Sequence, residues 1–351
     1  MREVTGAPGA PWDRELRGRL DVLTVESDIL ADNPLGDPAR RPLYVYVPPE
    51  AVGAAPGTLP AVYVIQGYTG ALTMWLDRGP WSPNMIERLD DHFAEGDTPP
   101  GIVVFVDAWT RLGGSQFVNS TSTGRYMDHL CDEVVSFIDS RYPSVPEASH
   151  RGIAGKSSGG YGAMYVPMKR PDVFSALATH AGDALFEVCY LPEFREAVRS
   201  LRDRYEGSYG VFFEAFEKRE RFDYKLHGTL LEFYAMAACY SPDPDRPGEA
   251  LLPFDVVTGR LIPEIWEQWL TFDPVRMAPL HADALAGMRH IHVEAGRSDE
   301  YFLDLGAQAF SNELEKLGVE HSFELFEGTH GNLQYRYPRA IGDMLRTLSK
   351  G

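Results

Sequence analysis

The sequence predicts a mostly parallel β-sheet covered by helices on both faces. Short, nearly continuous apolar runs of strand length alternate with longer segments in which apolar residues recur every three or four positions. The short runs are typical of strands buried on both faces, and the longer pattern is typical of amphipathic helices. Their alternation along the chain indicates an α/β fold. One segment, residues 189–281, interrupts the alternation and predicts a helical insertion.

The N-terminal part of the chain predicts a hairpin and the first two buried strands. Two segments that alternate apolar and polar residues flank a turn rich in Pro, Gly and Asp, as antiparallel partners do. The apolar runs AVYVIQ and GIVVFVDA then predict buried strands with a helix between them. The predicted elements are a loose arm over 1–15, hairpin strands over 20–30 and 41–49, a strand over 61–66, a helix over 83–95 and a strand over 101–108.

The alternation continues with a helix whose apolar face includes Leu130, Val134 and Ile138. A short strand then leads into a helix that Pro171 ends. The predicted elements from this point are a helix over 126–142, a strand over 151–155, a helix up to 170, strands over 175–182 and 290–296, a helix over 302–317, a strand over 321–328 and a helix over 340–349. This order of strands and helices predicts parallel pairing across most of the sheet.

Residues 189–281 contain helical stretches but no strand pattern, and they hold 16 of the 41 aromatic residues of the chain. We therefore expect a core formed by residues 1–188 and 282–351, with residues 189–281 as an inserted, aromatic-rich helical cap. The aromatic side chains either form the core of the cap or line a pocket for an acyl or aryl group. Both interpretations stay open at this point.

The composition excludes several classes of protein. The 351 residues include 33 Lys and Arg against 51 Asp and Glu, and the net charge of −18 would repel a phosphate backbone, so no nucleic-acid partner is expected. No apolar run approaches the ~18 residues of a membrane-spanning helix. Cys131, Cys189 and Cys239 lie far apart, which excludes a disulfide framework and a thiolate zinc site. The first residues lack the apolar segment of a secretory signal, so a cytoplasmic location is expected. The oligomeric state is not predicted.

The segment Gly155-Lys156-Ser157-Ser158-Gly159 is a G-x-S-x-G motif between a predicted strand and a predicted helix. Small residues two positions before and after the serine allow a sharp turn that presents the hydroxyl at the carboxyl edge of the sheet. Ser157 fits this frame, whereas Ser158 would place the bulky Lys156 at a crowded position. The segment does not match the spacing of a phosphate-binding loop. Ser157 is therefore the predicted nucleophile.

A serine hydroxyl needs a base to take its proton and a carboxylate to orient that base. In folds with this turn the three groups follow in the order serine, acid, histidine, with the last two on loops after late strands. Asp299 and His330 each come directly after one of the last two predicted strands. We therefore expect Asp299 as the acid and His330 as the base. Asp183, which also ends a strand, is the alternative acid.

An acyl-transfer site also needs N–H donors for the oxyanion. The backbone N–H groups of Ser158 and Tyr68 are the candidates, because one follows the nucleophile and the other lies in the loop after the first buried strand. Gly67 would permit an unusual backbone in that loop, although it also suits an ordinary turn. His290 and His292 share one face of a strand, but without a third ligand we expect structural histidines and no metal.

Together these motifs resemble the putative-esterase branch of the α/β-hydrolase superfamily, which contains esterase D, feruloyl esterases, enterochelin esterases and mycolyltransferases. The resemblance rests on Gln66-Gly67-Tyr68-Thr69-Gly70, VVFVDAWT, FVNSTSTGRYMDHLCDEVVSFIDSRYP, GIAGKSSGGYGAM, ATHAGDALFE, GRSDEYFLDLGAQAF and EGTHGNLQYRYPRAI. It covers about residues 40–188 and 282–351, and it leaves the insertion unmatched. It implies an α/β-hydrolase fold, the triad of Ser157, Asp299 and His330, and no cofactor. Gln66 stands where many relatives carry histidine.

The sequence thus predicts a serine carboxylic-ester hydrolase that forms an acyl-enzyme on a small-molecule ester. The aromatic insertion favours a bulky or aromatic ester, as in feruloyl or siderophore esterases. Substrate contacts are expected from Gln66, Asp107, Trp109 and Asp183. Two alternatives stay open: an acyltransferase that uses the same triad, and a non-catalytic binding protein with a hydrolase-like fold.

Overall fold

A computed structural model describes residues 14–350 of the chain. Most of the loose arm predicted over 1–15 therefore lies outside the described residues. An eight-stranded sheet and a separate two-stranded ribbon account for the strands within 14–350. No helix in the described part of the chain combines the length and the apolar character needed to cross a bilayer.

The strands are β1 (Arg19–Glu26), β2 (Arg40–Val47), β3 (Ala61–Ile65), β4 (Ile102–Val106), β5 (Asn119–Ser120), β6 (Gly124–Arg125), β7 (Arg151–Ser157), β8 (Ala176–Gly182), β9 (His290–Gly296) and β10 (Ser322–Phe326). The ribbon consists of β5 and β6, and the sheet has the order β1-β2-β4-β3-β7-β8-β9-β10. β2 is antiparallel to β1 and β4, and the neighbours from β4 to β10 are parallel. The predicted hairpin and the predicted parallel sheet are both confirmed.

The central strands could be predicted from the sequence because their residues are buried and therefore apolar. Every residue of β3 and β4 is buried, because helices cover both faces of the sheet at these strands. In β3, Val62 and Val64 pack on one face, whereas Tyr63 and Ile65 pack on the other. The observed bounds of β3, β4, β8, β9 and β10 lie within two residues of the predictions. β7 continues two residues beyond its predicted end and finishes on Ser157.

The α-helices are α1 (Met85–Ala94), α2 (Tyr126–Asp128), α3 (Val135–Arg141), α4 (Ser158–Lys169), α5 (Phe186–Cys189), α6 (Phe194–Arg204), α7 (Tyr209–Glu217), α8 (Thr229–Tyr240), α9 (Pro263–Leu270), α10 (Pro274–Met277), α11 (Ala282–Ala286), α12 (Leu303–Lys316) and α13 (Tyr337–Leu348). α1 and α13 pack on one face of the sheet, and α3, α4 and α12 pack on the other. Asn84 and Glu87 begin α1 with a reciprocal capping box.

The helix predicted over 126–142 is interrupted, because His129–Val134 adopts π-helical hydrogen bonding between α2 and α3. Within this stretch the Glu133 carboxylate contacts three groups. It lies 2.7 Å from Nδ1 of the buried His129, and it accepts hydrogen bonds from Ser27 Oγ and the Ile29 N–H. The π-helical stretch therefore carries the side chain that ties this helical region to the chain just after β1.

The chain between β8 and β9 contains the helices α5 to α11 and no strand, and its non-helical stretch over 241–262 carries two isolated β-bridges. Its aromatic rings pack mostly against one another. Phe194, for example, contacts the rings of Phe233, Phe254 and Trp266 at centroid distances of 5.0, 4.9 and 5.5 Å. This cluster is continuous with the apolar core on the α4 face of the sheet.

At the β7–α4 turn two backbone segments meet in close contact. A Cβ atom on Gly155 would lie 2.2 Å from the Gly159 carbonyl oxygen, and a Cβ atom on Gly159 would lie 2.5 Å from the Ile65 carbonyl oxygen. No side chain fits at either position without moving backbone. The predicted need for small residues on both sides of Ser157 is confirmed.

We expect Gly155→Ala to lower the free energy of unfolding by about 1–3 kcal/mol, because the added methyl group must displace the first turn of α4. Gly287→Ala is the matched control, since a Cβ atom there would make only ordinary contacts at 3.4 Å or more. Urea unfolding of both variants measures the difference. Equal free energies of unfolding for the two variants would show that the β7–α4 turn accommodates the methyl group without cost, and would contradict the prediction.

Candidate active site

Ser157 lies at the strand-to-helix turn, where β7 ends and α4 begins. Its backbone has φ 59° and ψ −128°, a conformation that costs a residue with a side chain on the order of 1–3 kcal/mol. The packing around the turn maintains this strained conformation of Ser157. The result is a serine hydroxyl directed away from the sheet at the carboxyl edge of the parallel strands.

The structure brings His330 and Asp299 to this serine in one chain of contacts. His330 Nε2 lies 3.1 Å from Ser157 Oγ, and His330 Nδ1 lies 2.8 Å from Asp299 Oδ2. Asp299 is buried and accepts a hydrogen bond from the Tyr301 N–H. The loops after β9 and β10 meet closely, since a Cβ atom on Gly296 would lie 2.6 Å from the Gly328 carbonyl oxygen. That approach brings the acid and the histidine together.

The alternative acid, Asp183, does not contact His330. Its Oδ2 accepts hydrogen bonds from Tyr190 Oη at 2.8 Å, Gln116 Nε2 at 3.2 Å and Ser158 Oγ at 3.2 Å. Burial raises the pKa of Asp183, although these hydrogen bonds oppose the shift. Of the two acids considered from the sequence, Asp299 is the one within hydrogen-bonding distance of the imidazole.

The two predicted oxyanion donors, Ser158 and Tyr68, come from two different segments of the chain that meet at Ser157. Ser158 is the first residue of α4, so its N–H has no acceptor inside the helix. Tyr68 lies in the loop after β3, and its N–H donates no hydrogen bond to the described residues. Gly67 places this loop directly against the nucleophile, because a Cβ atom there would lie 3.3 Å from Ser157 Cβ.

A cavity of about 300 Å³ opens over Ser157. Its lining combines the core of the fold with the helical segment between β8 and β9. The lining residues are Gly67, Tyr68, Thr69, Gly70, Met74, Trp75, Lys156, Ser157, Asp183, Cys189, Tyr190, Glu193, Tyr224, Glu232, Tyr301, Leu303, His330, Asn332, Leu333, Gln334 and Tyr337. A small organic ester fits a space of this size.

Of the four side chains predicted to bind substrate, only Asp183 lines this cavity. Gln66 donates a hydrogen bond to the Gly70 carbonyl oxygen at 2.6 Å and thereby braces the loop after β3. Asp107 forms a buried ion pair with Arg41, whose guanidinium also donates to the Trp109 carbonyl oxygen. The expectation for Gln66, Asp107 and Trp109 is therefore corrected: the first two support loops, and Trp109 lies outside the cavity lining.

Several residues that the helical segment contributes to the cavity were not predicted from the sequence. Glu193 and Glu232 lie on a turn and a helix of this segment, and Tyr224 hydrogen-bonds with Tyr301, Oη to Oη, at 3.2 Å. No spacing in the sequence connects these residues to Ser157. The aromatic content of the segment was the available signal, and it indicated a pocket without identifying the side chains.

Behind the site, a buried ion network ties β9 to the chain that follows His330. Glu294 Oε1 lies 2.6 Å from His180 Nδ1 and Oε2 lies 3.1 Å from His292 Nε2, while the Arg336 guanidinium donates to both oxygens. Burial alone would raise the pKa of Glu294, but the hydrogen bonds from His180, His292 and Arg336 outweigh it and hold the pKa far below its ordinary value.

Among residues 14–350 no group of three or more His, Cys, Asp or Glu side chains is arranged to hold a metal ion, and the absence of a cofactor stays a prediction.

We expect Glu294→Gln to lower the free energy of unfolding by about 3–5 kcal/mol at pH 7, because it leaves the Arg336 charge without its buried partner. The pKa of Glu294 is lowered by folding, so its stabilisation is present above the unfolded pKa of about 4.5 and is lost as the pH falls further. Urea unfolding at pH 7 and pH 4 measures both effects. Glu324→Gln, which removes the more exposed partner of Arg336, should cost no more than ~1 kcal/mol. Similar losses in both variants would contradict a buried network centred on Glu294.

Solved structures of several hydrolases share this fold at low sequence identity. A ferulic acid esterase matches with a TM-score of 0.59 and 16% identity, over 95% of this chain and all of that chain. The serine hydrolase FphF of Staphylococcus aureus matches with a TM-score of 0.57 and 15% identity, over 95% and 99% of the two chains. An S-formylglutathione hydrolase from Agrobacterium tumefaciens matches with a TM-score of 0.55 and 15% identity, over 96% and 97%. These likenesses establish the α/β-hydrolase fold.

The family is established separately, by a sequence model. The model described as Putative esterase matches residues 38–338, which include the strand-to-helix turn at Ser157, the loop with Asp299 and the loop with His330. The match also spans the helical segment between β8 and β9, which the motif resemblance had left uncovered. The chain therefore belongs to the Putative esterase family, and it is a carboxylic ester hydrolase with the α/β-hydrolase fold.

Proposed function

We propose that this esterase works through an acyl-enzyme on Ser157, with His330 as general base and Asp299 as the acid that orients it. One observation carries the proposal: Ser157 Oγ, His330 Nε2, His330 Nδ1 and Asp299 Oδ2 follow one another at hydrogen-bonding distances of 3.1 and 2.8 Å. A strained serine, a histidine and a buried carboxylate in this order form the constellation that acyl transfer needs.

In the proposed reaction Ser157 Oγ attacks the carbonyl carbon of the ester as its proton passes to His330 Nε2. The negative charge that develops on the carbonyl oxygen is stabilised by the N–H groups of Tyr68 and Ser158. Asp299 stabilises the resulting imidazolium through Nδ1. The same proton then goes to the leaving alcohol. A water molecule, deprotonated by His330, next attacks the acyl carbon, and the bond from that carbon to Ser157 Oγ breaks as Oγ takes the proton back from His330.

We further propose that residues 189–281 act as a cap over the site of a small-molecule ester. Tyr190, Tyr224 and Glu232 reach the cavity from this segment, so its packing decides the shape of the bound substrate. The aromatic lining supports a bulky or aromatic ester, in line with the ferulic acid esterase among the structural neighbours. A cytoplasmic location and hydrolysis in preference to acyl transfer stay predictions from the sequence.

Replacement of the proposed nucleophile gives the first test. Ser157→Ala should lower kcat on a chromogenic ester by about 10³-fold or more, because no other hydroxyl in the contact chain reaches His330 Nε2. Fluorophosphonate labelling followed by peptide mass analysis should give one adduct, on Ser157, that the variant lacks. Ser158→Ala is the matched control, since its hydroxyl contacts Asp183. Labelling that survives in Ser157→Ala would refute the assignment.

The two candidate acids give the second test. Asp299→Asn should lower kcat by roughly 10³–10⁴-fold, because the amide cannot stabilise the imidazolium and favours the wrong tautomer of His330. Asp183→Asn should cost much less, since Asp183 bonds to Tyr190 and Ser158 and not to the imidazole. Steady-state kinetics on one neutral ester compare the variants. A larger loss in Asp183→Asn would reverse the assignment of the acid.

A further inference from the structure

Three carboxyl groups outside the proposed triad line the cavity over Ser157: Asp183, Glu193 and Glu232. The carboxylate of Asp183 is satisfied by its hydrogen bonds to Tyr190, Gln116 and Ser158. Glu193 and Glu232 differ, since neither side chain has a hydrogen bond or an ion pair with any residue within 14–350. Two acidic groups thus face the cavity with their hydrogen-bonding capacity unused.

Glu232 lies on α8 of the segment between β8 and β9, and its side chain is half-buried. Burial, with smaller contributions from the charges of Glu193 and Asp183, raises the pKa of Glu232 to about 8. Burial also raises the pKa of Glu193. In an empty cavity such groups favour the protonated form, and a positive charge or a hydrogen-bond donor that enters stabilises the ionised form.

The protein's own cation in the cavity lining does not supply that compensation. Lys156 precedes the nucleophile, and the charges that act on it are those of Asp299, Asp183 and Glu300. The charges that act on Glu232 are those of Glu193 and Asp183. Lys156 is the one Lys or Arg residue of the lining, and within residues 14–350 it forms no ion pair with Glu193 or Glu232.

The same cavity is rich in aromatic rings. Its lining includes Tyr68, Trp75, Tyr190, Tyr224, Tyr301 and Tyr337. Aromatic rings that surround a site attract cations through their negative faces, and rings combined with carboxylates are the usual way in which proteins bind ammonium groups. Tyr68, Tyr224 and Glu232 all line this cavity, so a ligand in it meets both rings and the free carboxyl group.

From the unpaired carboxyl groups and the aromatic lining, we infer that the substrate is an ester that carries an ammonium group, held between Glu232, Glu193 and the neighbouring tyrosine rings while Ser157 attacks its carbonyl. This inference rests on the proposed function, because it names the substrate class of the same site. The ammonium group would neutralise the acidic side of the cavity, and its alkyl substituents would contact the rings. A carboxylated or phosphorylated ester would meet repulsion from the same groups.

Isosteric ester pairs test the inference, because a trimethylammonium group and a tert-butyl group have the same shape and differ in charge. One pair varies the acyl side: 4-nitrophenyl 4-(trimethylammonio)butanoate and 4-nitrophenyl 5,5-dimethylhexanoate. The other varies the alcohol side: acetylcholine and 3,3-dimethylbutyl acetate. Each kcat/KM is divided by the rate constant of the same ester with hydroxide, which removes differences in intrinsic reactivity. We expect the charged member of at least one pair to be preferred about tenfold or more.

Glu232→Gln should reduce this preference at least severalfold, because it removes a carboxylate without changing the shape of the cavity. Glu196→Gln is the matched control, since Glu196 is exposed on α6 and does not line the cavity. A measurement without turnover covers the case in which Glu232→Gln does not fold. Choline should slow the fluorophosphonate labelling of the wild-type protein, whereas the isosteric 3,3-dimethylbutan-1-ol should not.

The outcomes separate the inference from the proposed function. Hydrolysis of the neutral esters with no preference for charge in either pair, or equal protection by choline and its neutral isostere, would overturn the ammonium site and leave the serine mechanism intact. A preference of equal size in Glu232→Gln and Glu196→Gln would overturn the role of Glu232. The loss of about 10³-fold or more in kcat in Ser157→Ala is expected in either case, and an unchanged kcat would instead overturn the proposed function.

Discussion

The β7–α4 turn brings two backbone segments closer than any residue other than glycine allows, and the rest of the site is arranged around that contact. Gly155 and Gly159 meet without side chains between them, and Ser157 takes the strained conformation that joins strand to helix. The loop after β3 packs on the same point through Gly67. The proposed nucleophile, the N-terminus of α4 and the loop proposed to bind the oxyanion are therefore positioned together, because each one limits the space of the others.

The positions of Asp299 and His330 follow from a second constraint, which is the parallel pairing of β9 and β10. Parallel strands end at one edge of the sheet, so the loops that follow them are neighbours. The close approach of Gly296 to the backbone at Gly328 then aligns the two loops. The buried Glu294–Arg336 pair connects β9 to the residues just before α13, which limits the movement of the His330 loop. The imidazole is thus held by backbone contacts and buried charge.

The helical segment between β8 and β9 contributes a different kind of chemistry to the same cavity. The core of the fold supplies the groups proposed to break the ester, whereas this segment adds carboxyl groups and tyrosine rings to the lining of the cavity. Its aromatic residues divide into a majority that pack as a core and a few, such as Tyr190 and Tyr224, that reach the cavity. The groups proposed for the reaction therefore lie in the core, whereas the lining proposed for substrate recognition comes from both parts of the chain.

The sequence by itself determined the strands of the sheet, the frame of the serine motif and the order of the proposed acid and base, because these depend on local periodicity and on the small residues of one turn. The tertiary structure decided which of two strand-terminal acids reaches His330, since Asp183 and Asp299 both end strands and only their loops differ. The tertiary structure also decided that Asp107 pairs with Arg41 and that Glu232 lines the cavity. Those outcomes depend on contacts between distant segments, which no spacing along the chain records.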